Sequence, residues 1–162
     1  MRDFTHLDST GKPVMVDITS KQSSRRTATA RSMVVLPDEL RERLGNGDQK
    51  DDILTKKGAV FQTAIIAGIM AAKKTNELIP LCHPLGLDSC DIRIEWKGEN
   101  EVQIECTASV EAKTGVEMEA LVGASVAALT IYDMCKGFSH DIIIRETKLM
   151  MKRGGKNDFE RK

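Results

Sequence analysis

Ser89-Cys90-Asp91-Ile92-Arg93-Ile94-Glu95-Trp96, then Gly98-Glu99-Asn100, then Glu101-Val102-Gln103-Ile104-Glu105-Cys106-Thr107-Ala108-Ser109-Val110: this stretch decides the fold. Apolar and polar residues alternate on both sides of the glycine, the period of a strand with one face buried. The short turn between the two runs makes them an antiparallel hairpin. A sheet with one wet face needs apolar helices on the other, and both flanks supply them.

Upstream, residues 57–78 predict a long helix. Val60, Ala64, Ala67, Ile69 and Ala71 are small or apolar, Lys73 and Lys74 suit the negative end of the dipole, and Pro80 stops it. Downstream, residues 115–137 predict a second long helix, with Thr114 and Glu117 spaced as a capping box and Gly137 as a stop. Outside the helices, residues 31–36 and 141–151 read as further strands. Pro37 opens a short helix over residues 37–44, closed by Gly45-Asn46-Gly47-Asp48. Residues 1–30, aperiodic apart from the short run 14–18, read as a partly mobile arm, leaving residues 31–162 as one domain. The order strand, helix, strand, strand, helix, strand predicts an α+β fold of ferredoxin-like β-α-β-β-α-β type. Its helices lie on one face of a mainly antiparallel sheet.

Composition narrows the function. A chain of 162 residues fits a single domain. With 24 basic and 24 acidic residues there is no overall positive field for nucleic acid. The longest uninterrupted apolar run, residues 64–72, is far short of the roughly 20 that a bilayer span needs. Met1 is followed by polar residues rather than an apolar leader. The expectation is a soluble cytoplasmic protein with neither membrane nor nucleic acid as partner. Cys82, Cys90, Cys106 and Cys135 form no Cys-x-x-Cys pair, and His6, His83 and His140 lack ligand spacing, so reduced thiols and no metal site are expected.

Several polar residues stand where neither core nor surface asks for them. His83 lies in the apolar loop Leu81-Cys82-His83-Pro84-Leu85, where a packed, hydrogen-bonded imidazole is the plainer reading. Glu117 and Glu119 sit about 200° apart on a regular helix, and Glu119 is flanked by Met118 and Ala120. Asp133 and Lys136, three apart, share a helix face beside an apolar surface, where altered pKa values would suit acid–base work. The plainer reading is a surface ion pair worth a few tenths of a kcal/mol. Lys56-Lys57-Gly58 stands at the start of the first long helix, against the dipole's preference, which hints at an anionic partner, with a solvated helix start as the equal alternative. The run Lys152-Arg153-Gly154-Gly155-Lys156 offers amines and amides to phosphate but does not match the phosphate-loop pattern. Glu119 and Lys136, 17 residues apart, are separated by roughly 25 Å along a straight helix. A nucleotide-sized ligand could meet both only in a pocket built from two subunits, which points to an obligate oligomer.

Six blocks carry a family resemblance: Met15-Val16-Asp17-Ile18, Lys57-Gly58, Ala67-Gly68-Ile69-Met70-Ala71-Ala72-Lys73, Ile79-Pro80-Leu81-Cys82-His83-Pro84-Leu85, Lys113-Thr114-Gly115-Val116-Glu117-Met118-Glu119-Ala120-Leu121 and Leu129-Thr130-Ile131-Tyr132-Asp133-Met134-Cys135-Lys136. In this order they resemble the cyclic pyranopterin monophosphate synthases, lyases of molybdenum-cofactor biosynthesis. The chain departs from that pattern at Ala59, Ile65 and Arg145, and lacks a glycine before Asp158.

The resemblance implies a ferredoxin-like subunit in a homohexamer, a trimer of dimers with sites at dimer interfaces. The implied substrate is 3′,8-cyclo-7,8-dihydroguanosine triphosphate, converted to cyclic pyranopterin monophosphate with loss of diphosphate. Lys57, Lys136 and Asp133 match the family's catalytic residues. Leu81, Cys82, His83, Met118 and Glu119 match substrate-binding positions, and Arg26, Glu117 and Lys152 match further polar pocket residues. Lys156 is a further candidate for the triphosphate. Proton traffic would run through Lys57, Asp133 and Lys136, the two lysines coming from opposite subunits. No cofactor is required by this chemistry, although magnesium could accompany the triphosphate. Two rivals compete with this reading. A ligand-sensing ferredoxin-like module would release no diphosphate. A base-stacking sheet fits poorly with 4% aromatic residues.

Overall fold

The computed structural model describes residues 7, 8, 10–40 and 52–162. Along the chain come β1 (Ser24–Val35), a small hairpin of β2 (Leu54–Thr55) and β3 (Gly58–Ala59), then α1 (Val60–Ala72) and a single turn α2 (Thr75–Leu78). They are followed by β4 (Ser89–Lys97), β5 (Glu101–Ala112), α3 (Glu117–Cys135), β6 (Ile143–Arg153) and β7 (Phe159–Glu160). The main sheet has the order β4-β5-β1-β6-β7, with every neighbouring pair antiparallel. The fold is α+β and ferredoxin-like, as the alternation and helix periods predict.

The hairpin that opens the sequence reading is present in register, from Ser89 opposite Ser109 to Lys97 opposite Glu101. Its apolar face, including Ile92, Val102, Ile104 and Cys106, is buried under the helices, while Arg93 and Glu95 face outward. α3 crosses β1, β5 and β6, and α1 lies between α3 and β4. The helices approach closely because glycines stand at the crossing. A Cβ on Gly68 would come within 2.7 Å of the Gly123 carbonyl oxygen, and one on Gly123 within 2.6 Å of Cys106 Sγ.

α3 has the length and composition to cross a membrane, with a mean hydropathy of 1.3. However, 56% of that window is buried within the fold, so its apolar surface serves the core.

Four local expectations need correction. β1 begins at Ser24 rather than near residue 31, so the last residues read as arm belong to the sheet's central strand. Its inward positions Ala28 and Ala30 are fully buried yet weakly hydrophobic. Pairing on both sides, rather than intrinsic strand preference, holds this half of the strand.

The helix read over residues 57–78 starts only at Val60 and breaks after Ala72. Gly58, at φ +108°, closes the β2–β3 turn in a conformation only glycine adopts readily. The first helical turn is capped from a distance: the Asp52 carboxylate accepts the amides of Phe61 (2.6 Å) and Gln62 (2.9 Å). Lys57 therefore lies in a hairpin turn, not in a helix.

The capping box at Thr114 and Glu117 does not form. Val116 occupies the cap position without a side-chain bond, and the Glu117 carboxylate turns instead to Lys152. β7 is an edge strand absent from the sequence reading, and it pairs Met151 with Glu160 and Lys152 with Phe159. Of the helix read over residues 37–44, helical structure begins at Asp38. Its continuation and the Gly45-Asn46-Gly47-Asp48 stop lie outside the described residues.

Candidate active site

Asp133, at the C-terminal end of α3, gathers two lysines. Lys136 Nζ stands 2.8 Å from one carboxylate oxygen and Lys57 Nζ 3.3 Å from the other, and Lys57 also donates to the Asp133 backbone oxygen at 3.3 Å. Helical spacing brings Asp133 to Lys136. The β2–β3 turn brings Lys57 from 76 residues away. Expected from opposite subunits, the two lysines meet within one chain. The Asp133 carboxyl is held below its ordinary pKa, chiefly by the hydrogen bond from Lys136 and then by that from Lys57. The same bond raises Lys136 above the ordinary ammonium value. All three side chains are about half exposed, so solvent screens the cluster and it adds little to stability.

At the other end of α3 lies a cleft of about 510 Å3 whose walls carry Lys21, Arg26, Lys113, Lys152, Arg153 and Lys156 against the single carboxylate of Glu117. That volume suits a small-molecule ligand, and that charge suits an anionic one. Arg26 is fixed by its Nε–H donating to the Ala112 carbonyl (3.3 Å), and Lys152 by Glu117 (3.0 Å). Two glycines let the tail close the wall. Gly154 sits at φ +81°, and a Cβ there would come within 1.9 Å of the Arg25 carbonyl oxygen. A Cβ on Gly155 would lie 3.0 Å from the Arg26 guanidinium. Arg153 is engaged by Asp158 (3.6 Å) and by Glu160.

Glu119 is buried, only 4% exposed, and its pKa is raised first by burial and then by the charge of Glu117. Burial, then the Glu119 charge, raises the Cys82 thiol, which places the Leu81-Cys82-His83 loop beside this end of α3. Leu81, Cys82, His83 and Met118 are all half-buried. His83 Nε2–H donates to the Val16 carbonyl (2.8 Å), and Lys113 Nζ donates to the Thr19 carbonyl (2.9 Å). The segment before β1 is thus tied at two points before reaching the cleft wall at Lys21.

The candidates therefore fall into two groups at opposite ends of α3. Arg26, Glu117, Lys152 and Lys156 share the cleft, with Cys82 and Glu119 close to one another nearby. Lys57, Asp133 and Lys136 form an amine–carboxylate cluster roughly 25 Å away along the helix. Sequence reasoning omits Lys21, Lys113 and Arg153 from the site. The signal for Lys113 was its place directly before Thr114-Gly115. For Arg153 it was the glycine-rich run that includes it.

Comparison with known proteins gives the family. The profile of the MoaC family matches residues 15–155. The chain is 52% identical over 156 residues to a cyclic pyranopterin monophosphate synthase of Xanthomonas campestris pv. campestris (strain B100), covering 96% of this chain and 92% of that one. It is 45% identical to the enzyme of the same name from Bacillus thuringiensis subsp. konkukian over 100% of this chain and 99% of that one. It also matches, at 51% identity, 45% of a molybdenum cofactor biosynthesis bifunctional protein of Synechocystis. With likeness running nearly end to end, the chain belongs to the MoaC family.

Proposed function

We propose that this chain is a lyase of molybdenum-cofactor biosynthesis that converts 3′,8-cyclo-7,8-dihydroguanosine triphosphate to cyclic pyranopterin monophosphate, releasing diphosphate. The observation that carries this reading is identity of 45–52% with synthases of that name over 96–100% of the chain. The charge distribution supports it, with a cationic cleft for a polyphosphate and a separate amine–carboxylate relay for proton transfer.

In this mechanism Arg26, Lys152 and Lys156 hold the triphosphate by charge-assisted hydrogen bonds. Leu81, Cys82, His83 and Met118 line the ring, and His83 and Glu119 orient it. For His83 this means exchanging the Val16 carbonyl for substrate. A raised pKa suits Glu119 to donate a hydrogen bond to a ring acceptor. Lys136, holding its proton against Asp133, acts as the acid, and Lys57 passes protons across the same carboxylate. Ring closure of the phosphate needs a sugar hydroxyl held in line with the departing diphosphate, which is mainly positioning and charge neutralisation. Any magnesium would arrive with the triphosphate and supply charge neutralisation at its oxygens; among the described residues no group of three or more His, Cys, Asp or Glu is placed to hold a metal.

Cleft and relay are too far apart along α3 for one nucleotide to reach both. The working site therefore combines the cleft of one subunit with the relay of another, in a homohexamer arranged as a trimer of dimers. Incubation with the cyclised nucleotide tests the reaction: diphosphate and a pterin product should appear together. Binding without diphosphate release would overturn the assignment and leave a ligand-sensing module.

A further inference from the structure

Cys90 and Cys106 lie on adjacent strands as a diagonal pair, two positions apart in register. In the β4–β5 register Cys90 stands opposite Ala108 and Ile92 opposite Cys106, so both thiols point to the helix side. Their sulfurs are 3.8 Å apart. Cys106 is fully buried in the core, whereas Cys90 is half-buried on β4, the edge strand of the sheet, where solvent has access. Neither takes part in the relay or the cleft.

We propose that Cys90 and Cys106 form a peroxide-oxidisable dithiol, with Cys90 as the reacting sulfur and Cys106 as the resolving one. The geometry assigns the roles, because only Cys90 can be reached from outside and only Cys106 lies within reach of it. Their protonation is consistent with this order. The hydrogen bond with Cys106 lowers the Cys90 pKa, against the opposing effects of burial and Asp91. The same contact, followed by burial, keeps Cys106 protonated. The other two cysteines move the opposite way to Cys90. Cys82 is raised by burial and Glu119, and Cys135 is pushed up to about 11 by burial and Asp52. Thiolate character governs attack on peroxide, so Cys90 should react first.

The chemistry balances. The Cys90 thiolate attacks one oxygen of hydrogen peroxide, the O–O bond breaks, and hydroxide leaves and is protonated to water, giving a sulfenic acid. The Cys106 thiol then attacks that sulfur, an S–S bond forms, and the sulfenic oxygen departs as a second water. Two thiols lose two hydrogens and two electrons, and one peroxide becomes two waters. A dithiol reductant reverses the bond by thiol–disulfide exchange. The sulfurs must close from 3.8 Å to about 2 Å, and for a diagonal pair this takes side-chain rotation together with a local shift of the edge strand. The bond staples the edge strand to its neighbour.

The test treats the full chain with a small excess of hydrogen peroxide, alkylates the remaining thiols under denaturing conditions and maps the peptides. A Cys90–Cys106 crosslink that dithiothreitol removes is expected, with Cys82 and Cys135 still alkylated. Under the same treatment Cys106→Ser should leave a sulfenic acid at Cys90 that dimedone traps. Four alkylated thiols after treatment, first reaction at Cys82, or overoxidation of Cys90 without a crosslink would each overturn the proposal.

Discussion

Asp133 controls how tightly Lys136 holds its proton. In Asp133→Asn the hydrogen bond to a charged carboxylate is gone, so the Lys136 pKa should fall. If Lys136 acts as the acid, the basic limb of the kcat/KM profile then moves to lower pH, because the proton is lost earlier. An unmoved basic limb would remove Lys136 from that role. Replacing either lysine with Ala should cost about 10²–10⁴-fold in diphosphate release with an unchanged circular dichroism spectrum. Glu119 makes the complementary case. Its folded-state pKa lies above the unfolded value because burial disfavours the charge. The folded chain then binds more protons than the unfolded one, so stability falls as pH rises from the unfolded pKa through the folded one. Glu119→Gln should therefore raise Tm at neutral pH, and the gain should vanish at about pH 3, below the unfolded glutamate pKa of about 4.3, where wild-type Glu119 is protonated in both states. A gain of equal size at both pH values would show that the charge is not its source.

At the scale of elements, the contact between α1 and α3 rests on Gly68 and Gly123. A methyl on Gly68 meets both the Ile92 side chain (2.4 Å) and the Gly123 backbone oxygen (2.7 Å). Isoleucine can rotate away, but the backbone carbonyl cannot. Gly68→Ala should therefore cost about 1–3 kcal/mol, despite alanine's better helix propensity, and a lower urea midpoint would register it. An unchanged midpoint would mean that the helices can part without penalty. The same elements show how far local pattern reaches. Alternation over residues 89–110 is legible because each strand carries its own period, and the hairpin follows. The start of α1 is not legible, because its cap comes from Asp52, outside the apolar pattern, and because Gly58 diverts the chain just before the helix. The capping pattern at Thr114 misled for a related reason: Lys152, from a strand 35 residues away, competes for Glu117 and wins it.

For the whole molecule, the separation of cleft and relay along α3 makes a sharp prediction. Lys57→Ala and Arg26→Ala damage different halves of a shared site, so each homo-oligomer should be nearly inactive. Co-expressed and assembled together, the two should recover part of the activity, because some interfaces then pair an intact relay with an intact cleft. Native mass measurement should find six copies. No recovery from mixed assemblies of confirmed composition would place cleft and relay in one chain's site and defeat the two-subunit arrangement. The Asp133–Lys136 half of the relay was visible in the sequence because a helix puts residues three apart on one face. Most of the cleft could be suspected only piecemeal, since Arg26, Glu117 and Lys152 lie on three different elements.

The sequence alone determined the types of the two long helices and of the four main strands, the buried face of the hairpin, and two polar positions that share a helix face. Each of these depends on periodicity over a few turns or rungs, which local sterics and apolar patterning encode directly. Only the tertiary structure decided that β1 extends back through Ala28, that Lys57 meets Asp133, and that Arg26 and Lys156 close one wall with Lys152. Those outcomes depend on which distant segments pair, how closely glycines let them approach, and which of several possible partners a charge finally finds.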